Sequence, residues 1–152
     1  MQSTPSTTTE NERTLSALAH IGPILPMGLI VTLVILLTQT NKSQFITRNA
    51  RQALVWQLVV MLIVFLGMMA YMPFYFSSFL QMMPQAGGPG SAAAFNANFN
   101  QLFAMQFAAI CVEFGVIGAF GIVGVVKALR ALKGEPGIYP LIGGFIERRI
   151  TK

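Results

Sequence analysis

Three apolar stretches, Leu15–Leu37, Ala53–Met72 and Leu102–Val126, dominate the chain, and almost every positive charge lies on one side of them. Each stretch is about 20 to 25 residues long. A helix rises ~1.5 Å per residue and the hydrocarbon core of a bilayer is ~30 Å thick, so about 20 apolar residues suffice to cross it. The stretches therefore predict an integral membrane protein. The composition agrees, because 54% of the residues are hydrophobic and 10% are charged, whereas a soluble domain carries roughly 25% charged residues.

The expected fold is all-α, with three main transmembrane helices. The first is broken by proline and glycine into two short helices. Pro23 and Pro26, flanked by Gly22 and Gly28, each remove a backbone donor and clash with the preceding turn. Two arrangements satisfy this: a kinked helix crossing over 15–37, or a surface or re-entrant segment over 12–24 followed by a helix starting near Pro26. Met27–Thr40 alone would reach about 21 Å, short for a full crossing. The other spans are placed at 53–76 and 102–126. One helical membrane domain is expected over 13–146, between a disordered polar N-terminus (1–12) and a basic tail (147–152). Thr9 and Glu12 form a capping-box pattern that would start a helix near Glu10. Ser43 is positioned to cap a helix that enters the second span, with Trp56 at the water interface. Residues 77–101 contain no charge and are rich in Gly, Pro, Ser and Asn, so they read as an outer loop.

Charge sets the orientation. Lys42, Arg48 and Arg51 precede the second span, and Lys127, Arg130, Lys133, Arg148, Arg149 and Lys152 follow the third, whereas the N-terminus has Arg13 and the outer loop has none. Cytoplasmic loops collect Lys and Arg, which places the 42–51 loop and the C-terminus in the cytoplasm and the 77–101 loop outside. The net charge of +5 is accounted for in this way, without nucleic acid as a partner. The N-terminus lacks the pattern of a cleaved signal peptide.

Several side chains stand out. Glu113 lies near the middle of the third span, where a charge costs at least ~2.5–3.5 kcal/mol and so faces protein or water. It reads either as a neutral acid hydrogen-bonded to a neighbouring helix, or as an ion or proton site. Its candidate partners are His20, Gln57 and its own copy in an oligomer. Gly115, Gly118, Gly121 and Gly124 recur every three residues and would allow close helix packing, within the chain or in a homo-oligomer. Phe45, Asn49, Gln52 and Trp56 share one helical face, with Arg48 and Arg51 beside it. That face reads as a polar seam locking helices together, or as a docking surface for anionic lipid headgroups, each Arg gaining ~1 kcal/mol there. Met68, Met69, Met72, Met82 and Met83 cluster near the outer face. Thioethers bind Cu(I), but they also fill gaps in apolar packing. Cys111 is the single cysteine and reads as a packing residue. One His, one Cys and no Asp leave no nucleophile–base pair or metal-ligand spacing. No enzyme activity and no cofactor are expected.

Four stretches, ERTLSALAHIGPILPMG, QFITRNARQALVWQL, VVKALRALKGE and YPLIGGFI, resemble in order and spacing the Tic twenty-like family of small multi-pass membrane proteins. That family is named for a chloroplast inner-envelope import component. Ala17–His20 match its opening motif, Arg48, Asn49, Arg51, Gln52 and Ala53 its central motif, and Tyr139–Leu141 its closing motif. The resemblance implies a compact helical protein of the cell inner membrane. The function expected from it is a helix-packing scaffold or translocation-related component among other membrane proteins. A small oligomeric channel or transporter using Glu113 is the alternative.

Overall fold

The computed structural model describes residues 8–25, 27–82, 91–139 and 143–144. Four α-helices make up most of it: α1 (Glu10–His20), α2 (Gly28–Gln39), α3 (Gln44–Met82) and α4 (Ser91–Leu132), with a 3-10 turn over Gly22–Ile24 between α1 and α2. No strand occurs among the described residues.

The helix ends follow from local chemistry. Thr9 and Glu12 form the reciprocal capping box, with the Thr9 N–H donating to the Glu12 carboxylate at 2.8 Å and the Glu12 N–H donating to the Thr9 hydroxyl at 3.3 Å. Ser43 caps α3, its Oγ accepting from the Ile46 N–H at 3.3 Å and donating to Glu12 at 2.5 Å, which ties the start of α1 to the start of α3. At the other end of α4, Gly134 adopts φ +80°. The Gly134 and Glu135 N–H groups donate to the Ala131 and Arg130 carbonyls at 2.9 and 3.0 Å. This is the paired closure that ends a helix on a left-handed glycine.

Among the described residues, the first apolar stretch contains no single helix long and apolar enough to cross a membrane. It is divided into an 11-residue and a 12-residue helix, because the chain around Pro23 cannot continue the hydrogen-bond ladder. Two helices, Gln44–Gln81 and Phe95–Leu132, are long and apolar enough to cross a membrane. Their most apolar windows are only 22% and 11% buried, the opposite of a soluble core helix. Pro73 sits inside α3, which continues through it to Met82. Residues 77–82 belong to α3 and residues 91–101 to α4, so these parts of the 77–101 loop expected are helical. Residues 1–7 of the N-terminus, the 147–152 tail and Met83 lie outside the described residues.

The chain forms two compact units, Met1–Val60 with Ile117–Lys152, and Met61–Val116. In the second unit, Tyr71 Oη donates to Gln106 Oε1 at 3.4 Å, and Phe95 and Phe99 stack with ring centres 6.3 Å apart. Met68, Met69 and Met72 are exposed there. The first unit holds nearly all of the buried residues. Ala19, Ile35, Ile46, Ala50 and Ala53 form one cluster, Ala17, Ala128 and Ala131 a second, and Trp56, Val60 and Tyr139 a third.

Candidate functional site: a buried polar seam

The clusters of the first unit are stitched together by an unusual number of buried polar side chains: Ser16, His20, Thr32, Asn49, Gln52 and Gln57, each at most 4% exposed. Their presence follows from the break in the first helix. An α-helix leaves its last four carbonyls without partners. Because α1 stops at His20, the Ala19 carbonyl is one of these. It accepts from Thr32 Oγ1 of α2 at 3.0 Å and from Gln57 Nε2 of α3 at 3.1 Å, and Gln57 Nε2 also reaches Thr32 Oγ1 at 2.8 Å. Gly22 leaves room for this contact, since a Cβ there would lie 1.9 Å from Gln57 Nε2.

His20 is the centre of the seam. Asn49 Nδ2 donates to the Phe45 carbonyl at 2.9 Å, and Asn49 Oδ1 accepts the Gly137 N–H at 2.8 Å. These bonds fix which end of the amide is oxygen. His20 Nε2, 3.0 Å from that oxygen, therefore carries a proton and donates. In the neutral ring Nδ1 is then the acceptor, and it takes the Tyr139 hydroxyl at 2.9 Å. Burial pushes the imidazole down to about 4, the bond to Asn49 opposes this, and the positive charge of Lys127 adds to it. Burial raises the Tyr139 hydroxyl, so it remains a donor. The Tyr139 ring stacks on Trp56 with centres 4.7 Å apart and planes at 19°, and Trp56 Nε1 donates to the Phe120 carbonyl at 3.4 Å. Gln52 Nε2 donates to the Gly143 carbonyl at 3.3 Å. The seam thus joins α1, α2, α3, α4 and the segment after α4.

His20, Asn49 and Gln52 come together here, and the α3 face that carries Asn49, Gln52 and Trp56 lies in the seam between helices. Trp56 is buried within it, covered by the Tyr139 ring of the segment after α4. Arg48 and Arg51 are half-buried beside the seam. Glu113 is half-buried in the second unit, and Gly115 is exposed there. Both ring nitrogens of His20 are bonded to Tyr139 and Asn49, and Gln57 Nε2 is bonded to α1 and α2. In the first unit the glycine stripe is split. Gly118 has nothing within 4 Å of a built Cβ, whereas Gly121 would touch Ile24 Cγ1 at 3.0 Å and Gly124 is buried.

Thr32, Gly137 and Ser16 were not among the expected site residues, and Gln57 was expected only as a candidate partner of Glu113. Thr32 and Gln57 did carry a signal, as isolated hydrogen-bonding side chains inside otherwise apolar runs. Ser16 Oγ, Gln52 Oε1 and Gln57 Oε1 are buried without a hydrogen-bond partner among the described residues. No group of three or more His, Cys, Asp or Glu placed to hold a metal occurs among the described residues.

The sequence pattern of the magnetosome magnetite crystal formation protein family, the MamF/MmsF family, matches residues 11–146. The chain belongs to that family. The match begins within α1 and runs past Tyr139, so it contains the whole seam. No curated protein and no solved structure matches the chain. Membership in the MamF/MmsF family corrects the Tic twenty-like resemblance, and the translocation role that came with it is dropped. Three of the four motif stretches hold the packing residues His20, Asn49, Gln52 and Tyr139. Such residues report how the helices fit, not what the protein handles. With its two long apolar helices, this MamF/MmsF family member is a membrane-associated protein.

Proposed function

We propose that this chain is a scaffold of the magnetosome membrane that influences magnetite crystal formation through the packing of its helices and not through catalysis. The family match over residues 11–146 carries the reading. The buried seam supports it, since a network tying five segments together suits a rigid platform better than a moving carrier. The homo-oligomer or other membrane proteins expected as partners would use the exposed part of the α4 glycine stripe.

The positive-inside rule orients the platform with the 42–51 loop and the C-terminus in the cytoplasm. There Lys42, Arg48, Arg51, Arg130 and Lys133 would meet anionic headgroups, with residues 77–101 facing the compartment that holds the mineral. Those 25 residues contain no Asp, Glu or His. Iron sites draw on carboxylate and imidazole donors, so this segment is not built to ligate iron ions. The effect on the crystal would come from the membrane and its proteins.

The test is complementation. The chain is expressed in a magnetite-forming bacterium that lacks its own family member, and crystal dimensions are measured by electron microscopy. Restored crystal size with the tagged protein in the magnetosome membrane is expected. Correct localisation with unchanged crystals would refute the proposal.

A further inference from the structure

We propose that His20 and Tyr139 form a proton-operated latch: the neutral imidazole holds the segment following α4 against α1 and α3, and protonation of His20 releases it.

The geometry leaves the ring one way to be satisfied. Nε2 must donate, because Asn49 Oδ1 is already fixed as an acceptor by the Gly137 N–H. Nδ1 must accept, because the Tyr139 hydroxyl points its proton there. Adding a proton to Nδ1 makes it a donor, and the Tyr139 oxygen can keep the contact only by accepting, with its own hydrogen rotated away. That leaves the Tyr139 O–H without a partner among the described residues and places a positive charge where His20 and Tyr139 are at most 2% exposed, which weakens the hold on the segment. Both contacts of the latch lie on the post-α4 segment or depend on it: the Tyr139 hydroxyl directly, and the Gly137 N–H through Asn49. Releasing Tyr139 also unstacks it from Trp56.

The surroundings do not offset a positive imidazole. α1 itself carries Glu10, Glu12 and Arg13 at its far end, with the Glu12 carboxylate engaged by Thr9 and Ser43. α2 has no titratable side chain. α3 contributes Arg48 and Arg51 on either side of Asn49. α4 contributes Lys127, whose charge already acts on His20, with Arg130 beyond it. The post-α4 segment has Tyr139 in contact and an exposed Glu135. No carboxylate among the described residues is bonded to His20.

The sign is that of a base whose affinity for protons is lower when folded. The latch is intact above the ordinary histidine value of 6.5 and loses its hold as pH falls from there through about 4. If the open state has the ordinary affinity, the ratio of closed to open falls by up to roughly 300-fold across that interval.

Two native probes read the latch in the full-length protein in lipid nanodiscs, because His20 is the only histidine and Trp56 the only tryptophan of the chain. NMR of the imidazole Cε1–H gives the protonation of His20, and Trp56 emission gives the departure of Tyr139. We expect the two to change together, with a midpoint below 5. In His20→Gln, which does not titrate, the emission transition is expected to vanish. A normal His20 midpoint near 6.5, protonation of His20 with unchanged Trp56 emission, or an emission transition that survives in His20→Gln would each overturn the proposal. If His20→Gln does not fold, coincidence of the two signals in the unsubstituted protein decides.

Discussion

Gly137→Ala is the most severe single-methyl test of the seam. The added Cβ would lie 2.3 Å from His20 Nε2, 2.8 Å from Cε1 and 3.1 Å from Cδ2. A flexible chain end would swing aside, but this ring is fully buried and bonded through both nitrogens. Restoring ordinary contact requires a shift of about 1 Å, enough to break the bond to Asn49 and strain the bond to Tyr139. Overpacking costs about 1–3 kcal/mol, and a buried donor left without a partner costs about 1–3 kcal/mol more. Replacing glycine returns about 0.4–1 kcal/mol through the unfolded chain. The net loss is about 1–5 kcal/mol, or a drop in Tm of about 2–20 °C for a chain of this size. Thermal unfolding in detergent, followed by Trp56 emission, measures it. Gly118→Ala is the matched control. It adds the same methyl to α4, where nothing lies within 4 Å, and is expected to leave Tm unchanged or raise it, since alanine is the better helix former by about 0.5–1 kcal/mol. If Gly137→Ala melts together with Gly118→Ala, the seam is not holding the fold.

Asn49→Ala removes the acceptor of both the Gly137 N–H and His20 Nε2–H and is expected to cost about 2–4 kcal/mol in the same melt, more than truncation of the neighbouring Arg51. Glu12 is held below its ordinary 4.5 first by the Ser43 hydroxyl and then by Thr9. Its contribution is therefore present above pH 4.5 and is lost as pH falls below it. Faster hydrogen exchange at the start of α1 should appear over that range in the unsubstituted chain and be absent from Glu12→Gln. For orientation, a cysteine at Ser91 in a Cys111→Ser background should react with an impermeant maleimide from the non-cytoplasmic side, and a cysteine at Thr151 only after permeabilisation. The reverse pattern would invert the proposed topology.

What the sequence discloses depends on whether a residue acts on its near neighbours or on distant ones. The capping pair Thr9 and Glu12, the Ser43 cap and the break at Gly22–Met27 were legible, because caps and prolines act within one helical turn. The two long apolar helices were legible because lipid imposes length and composition directly. The path of the first stretch was legible only as two alternatives, a kinked helix over 15–37 or a short segment followed by a second helix, because a proline marks a break without fixing how the pieces are arranged. The shared face of Asn49, Gln52 and Trp56 followed from helical periodicity, but its partners come from 88 and 91 positions further along the chain for Asn49 and Gln52. No periodicity encodes such a meeting.

The same distinction explains why Glu113 drew more attention in the sequence than His20. A carboxylate amid apolar residues is costly in isolation, so it stands out wherever its helix lies. His20 is unremarkable until Tyr139 and Asn49 close on it, and its chemistry exists only in the folded chain. The close approaches at Gly22, Gly28 and Gly137, where a Cβ would lie 1.9, 1.8 and 2.3 Å from neighbouring atoms, concentrate at that same place. A helix cut short leaves carbonyls that need donors. Donors reach them only where side chains and backbone come unusually near, and glycine is what permits this. The break in the first helix, the glycines around it and the buried polar side chains are therefore one feature of the fold, and a substitution at any of the three should be felt at His20.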